Sequence, residues 1–307
     1  MFKKVLAATD LLESCDAVVL VAGHIAERHG GTLYVLHVLE SPYSGKFRNF
    51  VKDFRTGEEL VSNEQYEGIV QEQIERACAG VLQDPQNYRM RISPGFPWEQ
   101  ILRWARKEAV DLIVLGPPSG RAEMKGVVRV SGTVGSTVEG VITHERCPVM
   151  IVNRLISKQR LAFKNIMVCI DFSESSRCAL DFAVKMAGKY GARVLLFHSL
   201  AAPTSPQYPQ AEFEGDLAAA RVKLESFSEN TLTGIEHEYA VWEGTLPHIE
   251  ILKFAREKDV DLIAMGSHSK EKGDKWYIGS AVEQVGSRAA CPVAVLTDPK
   301  VLRKMEE

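Results

Sequence analysis

The residues best suited to chemistry lie in one run, Met265-Gly266-Ser267-His268-Ser269, followed after nine intervening residues by Gly279-Ser280-Ala281. A glycine at the end of a strand admits a close backbone approach. Main-chain amides at the start of a helix attract anions through unpaired N–H groups and the helix dipole. Hydroxyls at Ser269 and Ser280 can add donors, and His268 could touch a phosphate or face solvent. This is the chemistry of a phosphate cradle. Asp171, which closes an apolar run, could accept from a ribose hydroxyl or a base amine. No Gly-x4-Gly-Lys-[Ser/Thr] is present, and no paired carboxylates stand out for metal-assisted phosphoryl transfer. Binding is therefore expected ahead of dedicated catalysis, with at most slow ATP hydrolysis.

These residues recur. Asp10, His37 and Gly30 reappear at Asp171, His198 and Gly191, each 161 residues on. Pro97, Asp111 and Gly116 reappear at Pro247, Asp261 and Gly266, 150 residues on. Gly135 and Cys147-Pro148 reappear at Gly279 and Cys291-Pro292, 144 residues on. Order is kept throughout, so the chain is a tandem repeat whose first half carries insertions of 11 and 6 residues. The basic stretch 153–163 marks the join, and the expected domains are 1–155 and 156–307.

Within each half, near-continuous apolar strands alternate with amphipathic helices, the pattern of a parallel sheet covered on both faces. Ligands in such sheets bind beyond the carboxyl ends of the strands, which is where Asp10, Asp171, Gly116 and Gly266 fall. Two histidines, His37 and His198, are expected as structural residues late in the second strand, and Asp111 and Asp261 as turn residues before the fourth. The segments 40–63 and 204–215 do not resolve into helix or loop.

The strand-one Asp, "LLFHS" in strand two, and the glycine-containing segment before "CPVAVL" resemble the universal stress protein family, whose pattern is G-x2-G-x9-G-[ST]. The second half matches at Gly266 and at Gly279-Ser280, with Ser269 in place of the middle glycine. The resemblance covers both halves. It implies two tandem doubly wound α/β domains, each a five-stranded parallel sheet of order 3-2-1-4-5 flanked by helices, paired through strand five as an intramolecular pseudo-dimer, with a further homodimer open. It also implies an ATP or AMP site, with or without Mg2+, formed by Asp171, Ser199, Met265, Gly266, Ser269, Gly279, Ser280 and Ala281, with Ser199 meeting adenine through its backbone. Ser267 and His268 complete that segment. In the first half, Gly116 and Gly135-Ser136 stand 19 apart rather than 13, and Pro117-Pro118 removes two amides. The resemblance therefore implies an altered site at Asp10, Val38, Gly116, Gly135 and Ser136, empty or holding another ligand. The role implied is stress response or signalling through an unidentified protein partner. The other readings are a pseudo-dimeric interaction protein without nucleotide and a weak ATP hydrolase.

Composition narrows the field. The 307 residues carry 37 Lys+Arg against 40 Asp+Glu, a net charge of −3, which disfavours nucleic acid as a partner. No apolar run approaches membrane-spanning length. Six cysteines without Cys-x-x-Cys spacing suggest reduced, buried thiols and a cytoplasmic location rather than a disulfide or zinc scaffold.

Overall fold

The computed structural model describes residues 1–11, 15–43, 45–82, 88–116, 134–153, 156, 158–203, 209–270 and 276–297. The chain divides into two compact units, Met1–Ile156 and Ser157–Glu307. The first contains β1 (Lys4–Thr9), α1 (Cys15–Arg28), β2 (Thr32–Glu40), β3 (Phe50–Lys52), β4 (Glu59–Val61), α2 (Glu64–Val81), β5 (Tyr88–Gly95), α3 (Pro97–Glu108), β6 (Leu112–Leu115), α4 (Ser136–His144) and β7 (Val149–Ile151). The second contains β8 (Asn165–Cys169), α5 (Glu174–Tyr190), β9 (Arg193–Leu200), α6 (Gln210–Ser228), β10 (His237–Glu243), α7 (Pro247–Glu257), β11 (Leu262–Gly266), β12 (His268–Lys270), β13 (Trp276–Ile278), α8 (Ser280–Arg288) and β14 (Val293–Leu296).

In unit 1 the neighbour order is β5-β2-β1-β6-β7, and in unit 2 β10-β9-β8-β11-β14. The pairings within each run are parallel. The α/β class with flanking helices thus holds.

Local sequence explains the elements. Strands β6 and β14 are buried at every position, and β11 at all but its final glycine, as apolar runs covered on both faces must be. Helix α5 starts at Ser173, whose side chain accepts from the Ser176 amide, and stops at Gly191 in the left-handed conformation (φ 64°). Pro97 and Pro247 open α3 and α7, where a missing N–H costs nothing.

Two devices recur in both units. The Asp111 carboxylate accepts from the Lys3 and Lys4 amides (2.6 and 2.9 Å), and Asp261 accepts from those of Lys164 and Asn165 (2.9 and 3.2 Å). The turn aspartates therefore clamp the start of the first strand. Leu11 (φ 64°) and Phe172 (φ 67°), each following the strand-one aspartate, are left-handed without being glycine. Such a conformation costs about 1–2 kcal/mol and persists only where surrounding packing imposes it. It turns the chain abruptly at the carboxyl end of the sheet.

Candidate functional site

In unit 1 the carboxyl ends of β1, β2 and β6 open into a cavity of about 430 Å3. It is lined by all five residues expected of a first-half site: Asp10, Val38, Gly116, Gly135 and Ser136. Asp10 leaves β1 at the start of the sharp turn through Leu11. Gly116 follows β6, where an added Cβ would meet nothing closer than the Val18 Cγ2 at 3.4 Å. Gly135 precedes α4 with φ 82° and ψ 151°, a conformation essentially restricted to glycine. No side chain caps α4, and its Gly135 carbonyl already accepts from Glu139. Ser136, Thr137 and Val138, the first turn of α4, all border the cavity. That places a helix N-terminus with its positive dipole end beside the space.

His37 borders the same cavity and is nearly fully buried. Its Nδ1 donates to the Thr9 carbonyl at 2.8 Å. His198 donates identically to the Ile170 carbonyl at 2.8 Å. Because a carbonyl only accepts, Nδ1 carries the proton in both rings. Each histidine braces strand two against the end of strand one, as the sequence suggested.

The remaining wall was not legible in the sequence. The 11-residue insertion falls between strand two and α3, and much of that segment folds as the antiparallel hairpin β3–β4. Lys52 and Phe54 from this hairpin line the cavity, together with Glu40 at the end of β2. The Lys52 Nζ lies 2.7 Å from the Glu40 Oε1, each side chain about one-third exposed (33% and 32%). The hairpin turn is fastened by Asp53, whose Oδ1 accepts from the Arg55 and Thr56 amides (2.8 and 2.7 Å). Burial pushes the Asp53 carboxyl up, but the Thr56 and Arg55 amides outweigh it and hold it below its ordinary value. The Phe54 amide donates to the Tyr66 hydroxyl at 3.3 Å, fixing the ring beside His37. Phe96, Pro97, Trp98 and Ile101 at the start of α3 supply an apolar side. The only signal in the sequence was the length of the insertion.

In unit 2, Asp171, Ser199 and Met265–Ser267 leave three adjacent strands, β8, β9 and β11, at their carboxyl ends. The backbone from His268 to Ile278 is partly a short antiparallel hairpin, His268 pairing with Ile278 and Ser269 with Tyr277. The side chains of His268 and Ser269 lie outside the description, as do residues 271–275 and the first-half insertion after Gly116.

Three local expectations change. The Gly279 amide is not available to a ligand: it donates to the Ser267 carbonyl at 3.2 Å, extending the hairpin ladder. That leaves Ser280 and Ala281 as the amide donors at the start of α8. Gly266 is required by protein packing, since a Cβ there would lie 2.7 Å from the Ser175 Cβ and 2.8 Å from backbone atoms of Ser175 and Ser176. The close approach is by α5 rather than by a ligand. Asp171 is exposed, and its Oδ1 accepts from the Ser173 amide and hydroxyl (3.0 and 2.5 Å), so it supports the α5 cap.

One polar atom at this end has no partner among the described residues: the buried Ser199 hydroxyl. Ser267, fully buried, shares a hydrogen bond with Thr297 at 2.8 Å. The Cys291 thiol is pushed up to about 12 and the Cys78 thiol to about 11, both chiefly by burial, which removes them as nucleophiles near neutral pH. Among the described residues no group of three or more His, Cys, Asp or Glu could hold a metal ion, and no helix is long and apolar enough to cross a membrane.

A family model described as the universal stress protein family matches residues 1–153 and 162–297. A universal stress protein of Methanocaldococcus jannaschii is 29% identical over 158 residues, covering 49% of this chain and 91% of the relative. One from Thermus aquaticus is 30% identical over 139 residues, covering 44% and 98%. The crystal structure of a universal stress protein from Archaeoglobus fulgidus aligns over 96% of both chains, with TM-score 0.64 and 22% identity. A functionally unknown protein from Pseudomonas aeruginosa aligns over 99% of this chain and 96% of its own, with TM-score 0.65 and 13% identity. At those identities the two structures speak for the fold.

Proposed function

The chain belongs to the universal stress protein family, and from that premise we propose that it is a nucleotide-binding regulator whose ligands sit at the carboxyl ends of its strands. The observation that carries the reading is the unit 1 cavity, which gathers Asp10, Val38, Gly116, Gly135 and Ser136 from four separate stretches of chain. A phosphate belongs at the first turn of α4, where the amides and dipole favour negative charge. Asp10 is suited to accept from ribose hydroxyls, and the backbone of Val38 to meet a base.

In unit 2 we place an adenine nucleotide, ATP or AMP, with its phosphates on the Ser280 and Ala281 amides and its base beside Ser199. The unpartnered Ser199 hydroxyl favours this second site, because a buried donor without an acceptor costs about 1–3 kcal/mol that a ligand could recover. Occupancy would favour one conformation of the loops at the sheet end and so bias a protein partner. That is the sense in which the protein would act in stress response or signalling.

The experiment is calorimetric titration with AMP and ATP, alongside mass spectrometry of any small molecule released on denaturation. Ser136→Glu and Ser280→Glu each set a carboxylate where a phosphate would lie, while an acidic first turn suits a helix. Each variant should remove one binding event and leave the unfolding midpoint unchanged or raised. Wild-type protein that binds neither nucleotide, or variants that bind as wild type does, would overturn the proposal.

A further inference from the structure

We infer that the Glu40–Lys52 pair reads the base in the N-terminal cavity, and that the ligand class it selects is a guanine nucleotide. The inference rests on the cavity being a nucleotide site and goes on to name the base. Strand β1 separates β2 from β6. Two strand spacings, about 10 Å, therefore lie between the β6 side, where Gly116 and α4 attract phosphate, and the β2 side, where Glu40 and Lys52 sit. A nucleoside monophosphate anchored at α4 brings its base edge to that pair.

The pair sets an acceptor beside a donor. A carboxylate offers about four lone-pair sites and an ammonium three N–H donors, and the Lys52 ammonium donates to the Glu40 Oε1 at 2.7 Å. The Watson–Crick edge of guanine presents two neighbouring donors, N1–H and the exocyclic amine, followed by the O6 acceptor. A carboxylate accepts such a fork with two parallel bonds, while the ammonium donates to O6. Adenine presents one amine and one ring nitrogen on that edge, so it forfeits a bond to a charged group. Phe54, two residues past Lys52 on the same hairpin, gives the base an apolar wall. All these contacts but Glu40 come from the first-half insertion, so the second site would not share the preference.

The test is titration of the full chain carrying Ser280→Glu, which silences the C-terminal site, with GMP and AMP in parallel. GMP should bind about tenfold more tightly than AMP, the worth of one hydrogen bond to a charged group. Glu40→Gln should erase that preference while AMP affinity stays within a few-fold. Lys52→Arg, which keeps the donor, should retain it, and Lys52→Met should not. Folding of each variant is checked by its unfolding midpoint, and both side chains are exposed enough for replacement. AMP binding as tightly as GMP, or a GMP preference that survives Glu40→Gln, overturns the base assignment alone. Binding of neither nucleotide overturns the nucleotide reading of the cavity and this inference with it.

Discussion

The repeat supplies its own control experiment at Gly116 and Gly266. They are equivalent in the two halves, 150 residues apart, Gly116 directly following β6 and Gly266 ending β11. A Cβ at 266 would lie 2.7 Å from the Ser175 Cβ and 2.8 Å from the Ser175 carbonyl carbon and the Ser176 nitrogen. Two of those three atoms are backbone in the first turn of α5, a turn held by the Ser173 cap, so the helix must shift. Overpacking of this kind costs about 1–3 kcal/mol. Replacing glycine also restricts the unfolded chain, which returns about 0.4–1 kcal/mol. With backbone on the other side of the clash, the net loss for Gly266→Ala is roughly 2 kcal/mol, or about 4–8 °C in the midpoint of a unit this size. At 116 the nearest atom is a valine methyl at 3.4 Å, which can give, so Gly116→Ala should stay within about 0.5 kcal/mol of wild type. Hydrogen exchange in increasing urea, read on peptides from each unit, separates the two effects. Equal destabilisation of the units would refute the argument that close helix approach, and not a family glycine as such, constrains position 266.

Three shorter predictions follow from other contacts. Asp111→Ala should cost unit 1 about 1–3 kcal/mol, because the Lys3 and Lys4 amides lose their acceptor; urea unfolding that shows no loss would exclude the clamp. Ser199→Ala should leave the ligand-free protein as stable as wild type or up to about 1 kcal/mol more stable, since it deletes a buried hydroxyl that has no partner among the described residues. Calorimetric destabilisation beyond that would mean the hydroxyl is bonded in the free protein. Burial and then the Arg288 charge hold the His248 imidazole below its ordinary value of 6.5. The folded state thus favours the neutral ring, so this contribution is present above pH 6.5 and is lost as pH falls through the folded value. The unit 2 midpoint should drop less between pH 7.5 and pH 5.5 in His248→Gln than in wild type, and equal drops would remove His248 as a cause.

Much of the site could be read before any coordinates, for physical reasons. A residue that ends an apolar strand in a parallel sheet has one place to go, and Asp10, Gly116 and Asp171 go there. The two histidines were recognisable as structural because they sit late in a buried strand, where a ring nitrogen needs a backbone acceptor. The glycines were harder. Gly135, with φ 82°, needs to be glycine for its backbone and Gly266 for a neighbouring helix, whereas the backbone of Gly279, at φ −58°, makes no such demand. The three are indistinguishable as letters, because backbone angles and neighbours are properties of the folded chain.

The pattern of residues along the chain determined the duplication, the α/β alternation, the strand-end position of the candidate site residues and the caps that start and stop helices. Each depends on neighbours within a few turns or on repetition, and both are written along the chain. Tertiary structure decided how the first half, with its altered glycine spacing, builds its cavity, and what lines the far wall. Glu40 and Lys52 meet at 2.7 Å only because a hairpin folds back over the end of β2. In the sequence that hairpin is only an insertion of 11 residues, since a cavity is bounded by side chains from distant segments and no local pattern records its shape.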